Sequence, residues 1–106
     1  MPEPAPTQAA LSGIDRLLGH RIRFAICALL SRNERLSFSR LKALLDQTDG
    51  SLGAQLRKLE DAGYLSVRKR FENRRPVSWY AITDAGRTAL DAHLAALRAL
   101  IDGPAT

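Results

Sequence analysis

A cluster of basic side chains between residues 68 and 75 carries the clearest chemical signal in this chain. The cluster places five cations in eight positions against a single acid, Glu72. The formal net charge of all 106 residues is +5, so most of that charge is concentrated here. Because Lys and Arg bind phosphates, this concentration predicts a polyanionic partner. The cluster consists of Arg68, Lys69, Arg70, Arg74 and Arg75.

A second group of polar side chains lies on one side of a helix predicted at about residues 49–62. Leu52, Leu56 and Leu59 recur at spacings of four and three, which places them on one face. The remaining surface is small, polar and basic. An apolar anchoring stripe with a short cationic front suits insertion into a DNA major groove, although an ordinary amphipathic helix has the same pattern. The candidate contact residues are Thr48, Ser51, Ala54, Gln55, Arg57 and Lys58.

These candidates have different predicted roles. Ser51 and Gln55 carry donors and acceptors suited to base edges, and Lys58 can reach a base or a phosphate. Arg57 is either a phosphate contact or a solvated surface charge. Gln55 also lies close to the apolar side of the helix, so a structural role is the alternative interpretation for it.

Catalytic and metal-binding chemistry has little support in the sequence. The chain contains one cysteine, Cys27, and two histidines, His20 and His93, which are far apart. An enzyme site needs a nucleophile, a base and an orienting group together, and a metal sensor needs clustered Cys or His. We therefore expect no enzyme activity, no metal and no cofactor. Cys27 is either a small apolar core or interface residue, the favoured interpretation, or a redox-sensitive thiol.

Cysteine usage and hydropathy predict a cytoplasmic protein. A single cysteine excludes an intramolecular disulfide and fits a reducing cytosol. No run approaches the roughly 18 apolar residues needed to span a membrane, so no membrane partner is expected. The opening MPEPAPTQAA lacks the pattern of a secretory signal. Its prolines predict that residues 1–12 form a disordered tail, followed by one domain at residues 13–102.

The predicted elements that position the polar groups follow the order helix, short helix, helix, hairpin, long helix. The first helix is expected from about Ile14 to Leu30 and is apolar on two faces, so something should pack on each. After a short strand beginning at Leu36, Ser37 is expected to cap a helix from Phe38 to Leu45. A tight turn then leads into the helix at 49–62.

The second half of the chain has equally clear boundaries. Thr48 or Asp49 is the expected N-cap of the helix at 49–62, and Gly63 can end it in a left-handed conformation. Period-two alternation over residues 64–70 and the β-forming residues of 76–82 predict two strands, joined by a basic turn at residues 72–75 into a hairpin at about 64–82. Thr83 is expected to cap the last helix, at about residues 84–101. That helix has a heptad-like leucine series, with Ala85, Ala92, Ala96 and Ala99 on the opposite side.

This order predicts a mainly α fold with a small β-hairpin, namely a winged helix-turn-helix in which the hairpin is the wing. The cations of the wing can bind phosphates beside the groove or enter a narrow minor groove. The helix at 49–62 would then be the recognition helix.

Two segments in the expected order resemble the compact branch of the MarR and ArsR winged-helix transcriptional regulators. The first, FSRLKALLDQTDGSLGAQLRKLEDAGYLSVRK, contains the pattern TDGxLxxxLxxLExAGY, and the second, RRPVSWYAITDAGRTAL, is similar to RxPxxxYxLTxxGRxAL. The likeness runs from about Leu17 to Leu100. Ser51, Gly53 and Gln55 stand where the pattern often has Asn, Ser and His, and Ile82 replaces a usual Leu. An operator sequence therefore cannot be transferred.

The resemblance implies a homodimer that binds double-stranded DNA and pairs through its N- and C-terminal helices. A repressor is favoured over an activator, because a bare binding head can block polymerase. A small-molecule effector could bind between the reading head and the dimer helices, but no polar group identifies one. The alternative is a protein–protein or RNA-binding assembly module.

The residues assigned on this basis fall into two sets. The expected dimer interface consists of Leu17, Phe24, Ala28, Leu90, Leu94, Leu97 and Ile101. The expected DNA contacts outside the recognition helix are Ser37, Ser39, Arg40, Arg68, Lys69, Arg70, Asn73, Arg74 and Arg75.

Overall fold

The computed structural model describes residues 6–103. In it, five helices pack with one small antiparallel sheet of three strands. The sheet has the strand order β1-β3-β2. Among residues 6–103, no helix is long and apolar enough to cross a bilayer. The elements are α1 (Pro6–Ser12), α2 (Arg21–Ser31), β1 (Leu36–Ser37), α3 (Phe38–Leu45), α4 (Asp49–Asp61), β2 (Leu65–Glu72), β3 (Arg75–Ile82) and α5 (Asp84–Asp102).

The predicted fold is confirmed, and its helix caps lie at the expected residues. The side chains of Ser37, Thr48 and Thr83 accept hydrogen bonds from backbone N–H groups in the first turns of α3, α4 and α5. Each bond satisfies a donor that the first helical turn leaves without a partner. Gly63 follows α4 with a φ of 80°, as its position predicts.

The N-terminal region differs from the prediction in two respects. Residues 6–12 form α1, so the prediction of a disordered tail is wrong for them, while residues 1–5 lie outside the described part of the chain. The first long helix begins at Arg21 rather than Ile14. His20 Nδ1 accepts the N–H groups of Ile22 and Arg23 and caps α2. This local hydrogen bonding outweighs the apolar periodicity that extends further back.

The core lies between α2, α3, α4 and the inner face of the sheet. The stripe of Leu52, Leu56 and Leu59 is fully buried and anchors α4 as predicted. From the strand pair β2–β3, the inner-face partners Leu65↔Ile82 and Val67↔Tyr80 complete the core. The largest fully buried side chains are Leu18, Ile26, Leu30, Leu41, Leu52, Leu56 and Leu59, together with the smaller Cys27.

The long helix α5 packs against both α1 and α2. As a result, one part of its leucine series is buried and another part is exposed. Leu90 is only 5% exposed and belongs to the core of the domain itself, so its assignment to an intersubunit seam is wrong. Leu94 and Ile101 of the same series are exposed. Ala96, expected on the opposite side, is buried, and its Cβ lies 3.1 Å from where a Cβ on Gly13 would stand.

Candidate nucleic-acid interface

The outer face of α4 carries several residues with little or no side chain. A Cβ added to Gly50 or Gly53 would meet no atom within 4 Å outside its own helix, so both positions face open space. Small side chains on this face leave room for another surface to approach the helix backbone. A shallow groove runs along it, lined by Asp49, Gly50, Gly53, Ala54, Arg57, Lys58 and Asp61.

Acidic charge at the start of α4 is balanced within the protein. The Nζ atom of Lys42, in α3, lies 2.8 Å from Oδ1 of Asp49. Both side chains are substantially exposed, so the pair contributes less than about 1 kcal/mol to stability. Its effect is electrostatic, because it reduces the negative charge that a phosphate would meet at this end of the helix.

The predicted base-reading side chains already have partners within the protein. Thr48 Oγ1 accepts the N–H of Ser51 at 3.1 Å, and Ser51 Oγ donates to Gln47 Oε1 at 2.8 Å. Gln55 is half-buried, and its Oε1 accepts from Arg23 Nη1 at 2.7 Å. These contacts orient the side chains before any ligand binds. Ala54, Arg57 and Lys58 are exposed on the same helix.

Arg23 contacts the candidate interface and was not among the residues predicted from the sequence. It is half-buried in α2 and donates from Nε to the carbonyl of Leu17 at 2.7 Å, as well as from Nη1 to Gln55. Gln55 therefore has a structural role, the alternative interpretation given for it above, because it binds Arg23 within the protein. A cation inside a helix that is apolar on two faces was the available signal, because a half-buried charge needs a partner.

The wing is a tight hairpin whose turn holds two residues in left-handed conformations. Asn73 and Arg74 have φ values of 48° and 63° and connect Glu72 to Arg75, which are register partners. Left-handed turns of this kind match the twist of a β-hairpin. Asparagine tolerates the conformation, whereas an arginine there costs about 1 kcal/mol relative to glycine. All six predicted wing contacts are exposed, namely Arg68, Lys69, Arg70, Asn73, Arg74 and Arg75.

The outer face of the wing holds an aromatic contact. The guanidinium of Arg35 lies 4.5 Å from the centroid of the Trp79 ring, a cation–π distance. The indole Nε1 of Trp79 donates to Glu72 Oε2 at 3.4 Å. Glu72, the one acid among residues 68–75, is therefore half-buried and directed towards Trp79.

The predicted contacts from α3 differ in availability. Ser39 and Arg40 are exposed near the start of the helix. Ser37 is half-buried, and its hydroxyl oxygen accepts the N–H of Arg40 at 3.1 Å. Its clearest function is therefore to cap α3.

A polar junction connects the end of α4 to α5. Tyr64, next to Gly63, donates its hydroxyl to Asp15 Oδ2 at 2.5 Å, and the N–H of Asp15 donates to His93 Nδ1 at 3.0 Å. Burial tends to raise the pKa of Asp15, but hydrogen bonds from Tyr64 and two backbone N–H groups lower it below its usual value. The bond to Asp15, with burial, raises the pKa of Tyr64 to about 12. The junction is therefore neutral at Tyr64 and charged at Asp15 near neutral pH.

Cys27 is fully buried in the core, and burial raises the pKa of its thiol to about 11. Thiol oxidation proceeds through the thiolate, so this environment favours the interpretation of Cys27 as an apolar core residue. Within residues 6–103, no group of three or more His, Cys, Asp or Glu side chains is arranged to hold a metal ion.

The predicted dimer residues have a wide range of exposure. Leu94 and Ile101 are 43% and 73% exposed, and Leu90 is buried. Leu17, Phe24, Ala28 and Leu97 are half-buried. Part of this set borders an open apolar groove between α2 and α5, lined by Ile14, Leu18, Gly19, Arg21, Phe24, His93 and Leu97.

A short helix, a tight turn, a second helix with an open front and a basic antiparallel hairpin together define a winged helix-turn-helix. The chain belongs to the family of winged helix DNA-binding domains, whose profile matches residues 22–101. This match confirms the sequence-based assignment to the small winged-helix transcriptional regulators.

Two individual proteins are similar to this chain over most of their own length. A transcriptional regulator homologue from Pyrococcus horikoshii is 30% identical, with a TM-score of 0.81 over 92% of this chain and 95% of that one. An uncharacterized protein of Methanocaldococcus jannaschii is 38% identical over 68 residues, which are 64% of this chain and 74% of that protein.

A solved complex extends the comparison to a more distant relative. Sco3205, a MarR family transcriptional regulator from Streptomyces coelicolor, has been solved in complex with DNA. It is 20% identical, with a TM-score of 0.64 over 93% of this chain and 69% of that one. At this identity the likeness shows the shared fold.

Proposed function

We propose that the protein is a sequence-specific transcriptional regulator that binds a pseudo-palindromic operator in double-stranded DNA as a homodimer. In this proposal α4 enters the major groove, while the wing binds phosphates or the adjacent minor groove. The observation that carries it is the open front of α4, formed by small residues and exposing Arg57 and Lys58, followed directly by a basic hairpin. A protein of this kind acts in the cytoplasm, and repression is favoured because no surface beyond the binding head is needed.

The conformation of Arg74 supports a functional wing. A glycine at this position would adopt the left-handed conformation without the cost that arginine incurs. An unfavourable backbone conformation that holds a cation at the hairpin tip is consistent with selection for binding rather than stability. Arg75 follows Arg74 in the sequence, and Arg70 lies nearby on β2.

Exposed apolar surface supports the homodimer. Leu94 and Ile101 lie on one flank of the buried stripe of α5, next to the apolar groove between α2 and α5. The radius of gyration is 16.4 Å, compared with about 13 Å for a compact domain of this length. An extended molecule with an apolar flank can bury that surface against a second copy.

The first test is selection from a random-sequence library of duplexes of about 30 base pairs. The enriched sequences should contain two inverted half-sites about 10 base pairs, or 34 Å, apart, since a dimer presents two recognition helices on one side of the duplex. If no sequence is enriched, or if RNA competes for binding as well as DNA does, the alternative of an assembly module is favoured.

The second test measures the electrostatic contribution. With about four phosphate contacts per subunit, log affinity against log salt should have a slope of roughly −7. The substitution Arg74→Gly should make the slope shallower by about 2 in the dimer, because one contact per subunit is lost. The same substitution should leave the melting temperature equal or higher. A slope unchanged in Arg74→Gly would remove this residue from the interface.

A further inference from the structure

Phe71 is an exposed aromatic residue on the most basic part of the molecule. Its side chain is 74% exposed, the largest value among the exposed large hydrophobic residues of the described chain. Lys69 and Arg70 precede it, and Arg74 and Arg75 follow in the turn and on the opposite strand. The fold itself does not require an apolar ring here, because the ring lies outside the core.

The strand register defines the direction in which Phe71 points. Its register partner on β3 is Pro76. Along the inner face of the sheet, Phe71↔Pro76 is the second pair beyond Val67↔Tyr80. Four residues of strand separate Phe71 from Val67, which is about 13 Å. The ring therefore stands beyond the helical body, on the side of the wing that packs against α4 nearer its base.

The electrostatic setting of the ring fits a polyanion. Arg70 and Glu72 alternate with Phe71 and lie on the outer face, where Glu72 is directed towards Trp79. The nearest acid is thus turned away from the inner face. Lys69 shares that inner face with Phe71 and is exposed, so an apolar ring and a cation are presented together.

We propose that Phe71 is a minor-groove wedge that inserts its ring between adjacent base pairs beside the half-site read by α4. Apolar side chains that enter the minor groove unstack a base step and kink the duplex. Phosphate binding by the surrounding cations offsets the cost of unstacking. Pro76 supports the ring from the paired strand with a fixed backbone φ.

The wedge adds a specificity element to the proposed DNA-binding function, on which it rests. Pyrimidine–purine steps such as TA and CA unstack most easily. The operator should therefore prefer such a step at the flank of each half-site, at a position that α4 does not contact. The bound duplex should also be bent.

The experiment uses duplexes enriched by the wild-type protein, with 2-aminopurine at the flanking step and a fluorophore pair at the ends. Wild-type protein should increase 2-aminopurine fluorescence and shorten the end-to-end distance. Phe71→Ala should abolish both signals and weaken binding about tenfold for each half-site, as expected for losing one buried aromatic contact per subunit. Its salt slope should not change, and Phe71→Leu should keep part of each signal.

Lys69→Ala is the matched control, because it removes a charge from the same face and keeps the ring. It should reduce the salt slope and preserve the fluorescence change. Since Phe71 is largely exposed, Phe71→Ala should melt at the wild-type temperature. A wild-type complex without a 2-aminopurine signal, or one that Phe71→Ala leaves intact, would overturn the wedge. Failure of the wild-type protein to bind any duplex would instead refute the proposed function.

Discussion

Gln55, a predicted base contact, has one half of its amide already engaged within the protein. Its Oε1 accepts from Arg23 Nη1 at 2.7 Å, which leaves the two N–H donors of Nε2 for a partner. Recognition of adenine by glutamine uses both the oxygen and the nitrogen. A glutamine held in this way is better suited to a base that presents acceptors in the major groove, such as guanine.

The substitution Gln55→Glu tests this assignment at the scale of a single residue. Glutamate can still accept from Arg23 but lacks the Nε2 donors, so discrimination at one or two base pairs should fall by about 1 kcal/mol. Repeating the library selection with this variant measures the change. Arg23→Ala is the complementary variant, since it frees Oε1 and should increase selection of adenine. Unchanged base preference in Gln55→Glu would exclude Gln55 from base reading.

At the scale of elements, the start of α5 is packed directly against the chain that links α4 to the wing. A Cβ on Gly86 would lie 2.3 Å from the carbonyl oxygen of Tyr64 and 2.8 Å from Cγ1 of Ile82. The same carbonyl accepts the N–H of Thr83 at 3.0 Å. Contact this close positions the wing and α5 relative to the end of α4.

Two glycine substitutions separate packing from helix propensity. Gly86→Ala should destabilise the protein by about 2–3 kcal/mol, because backbone must shift to admit the methyl group. Gly53→Ala, in the open front of α4, should instead stabilise it by about 1 kcal/mol while weakening DNA binding. Urea denaturation and a binding titration measure both effects. Equal stability of the two variants would contradict the close packing at Gly86.

At the scale of the whole molecule, the proposed dimer would set how many copies of α4 meet the DNA. The flank of α5 that carries Leu94 and Ile101 is the exposed part of the predicted seam. Burial of two such side chains contributes several kcal/mol to association, at about 1.5–3 kcal/mol for each residue. A lysine at either position would place a charge in that apolar contact.

The double substitution Leu94→Lys with Ile101→Lys should therefore yield a monomer in analytical ultracentrifugation. Ala95→Lys is the control, because Ala95 is exposed on the side of α5 away from this flank, and it should remain dimeric. The monomer should lose the preference for two half-sites one turn apart and bind single half-sites weakly. A dimer that survives the double substitution would place the interface elsewhere.

Much of the binding head could be predicted from the sequence because its determinants are local. The leucine spacing of α4, the capping hydroxyls of Thr48 and Thr83 and the alternation of the wing each act within a few residues. Such signals persist whatever the rest of the chain does. The region before α2 was predicted less well. There the side chains of Asp15 and His20 accept hydrogen bonds from backbone N–H groups, and the spacing of apolar residues gives no sign of these bonds.

By itself, the sequence determined the fold class, the helix-turn-helix position of α4 and the concentration of cations in the wing. Only the tertiary structure decided which partners those residues have. Arg23 and Gln55 are 32 residues apart, and Asp15 and His93 are 78 apart, so their bonds exist only once the chain has folded. Likewise, the periodicity of α5 identifies a leucine stripe, but only its neighbours bury Leu90 and expose Leu94. A helical repeat specifies a face, and packing specifies what covers it.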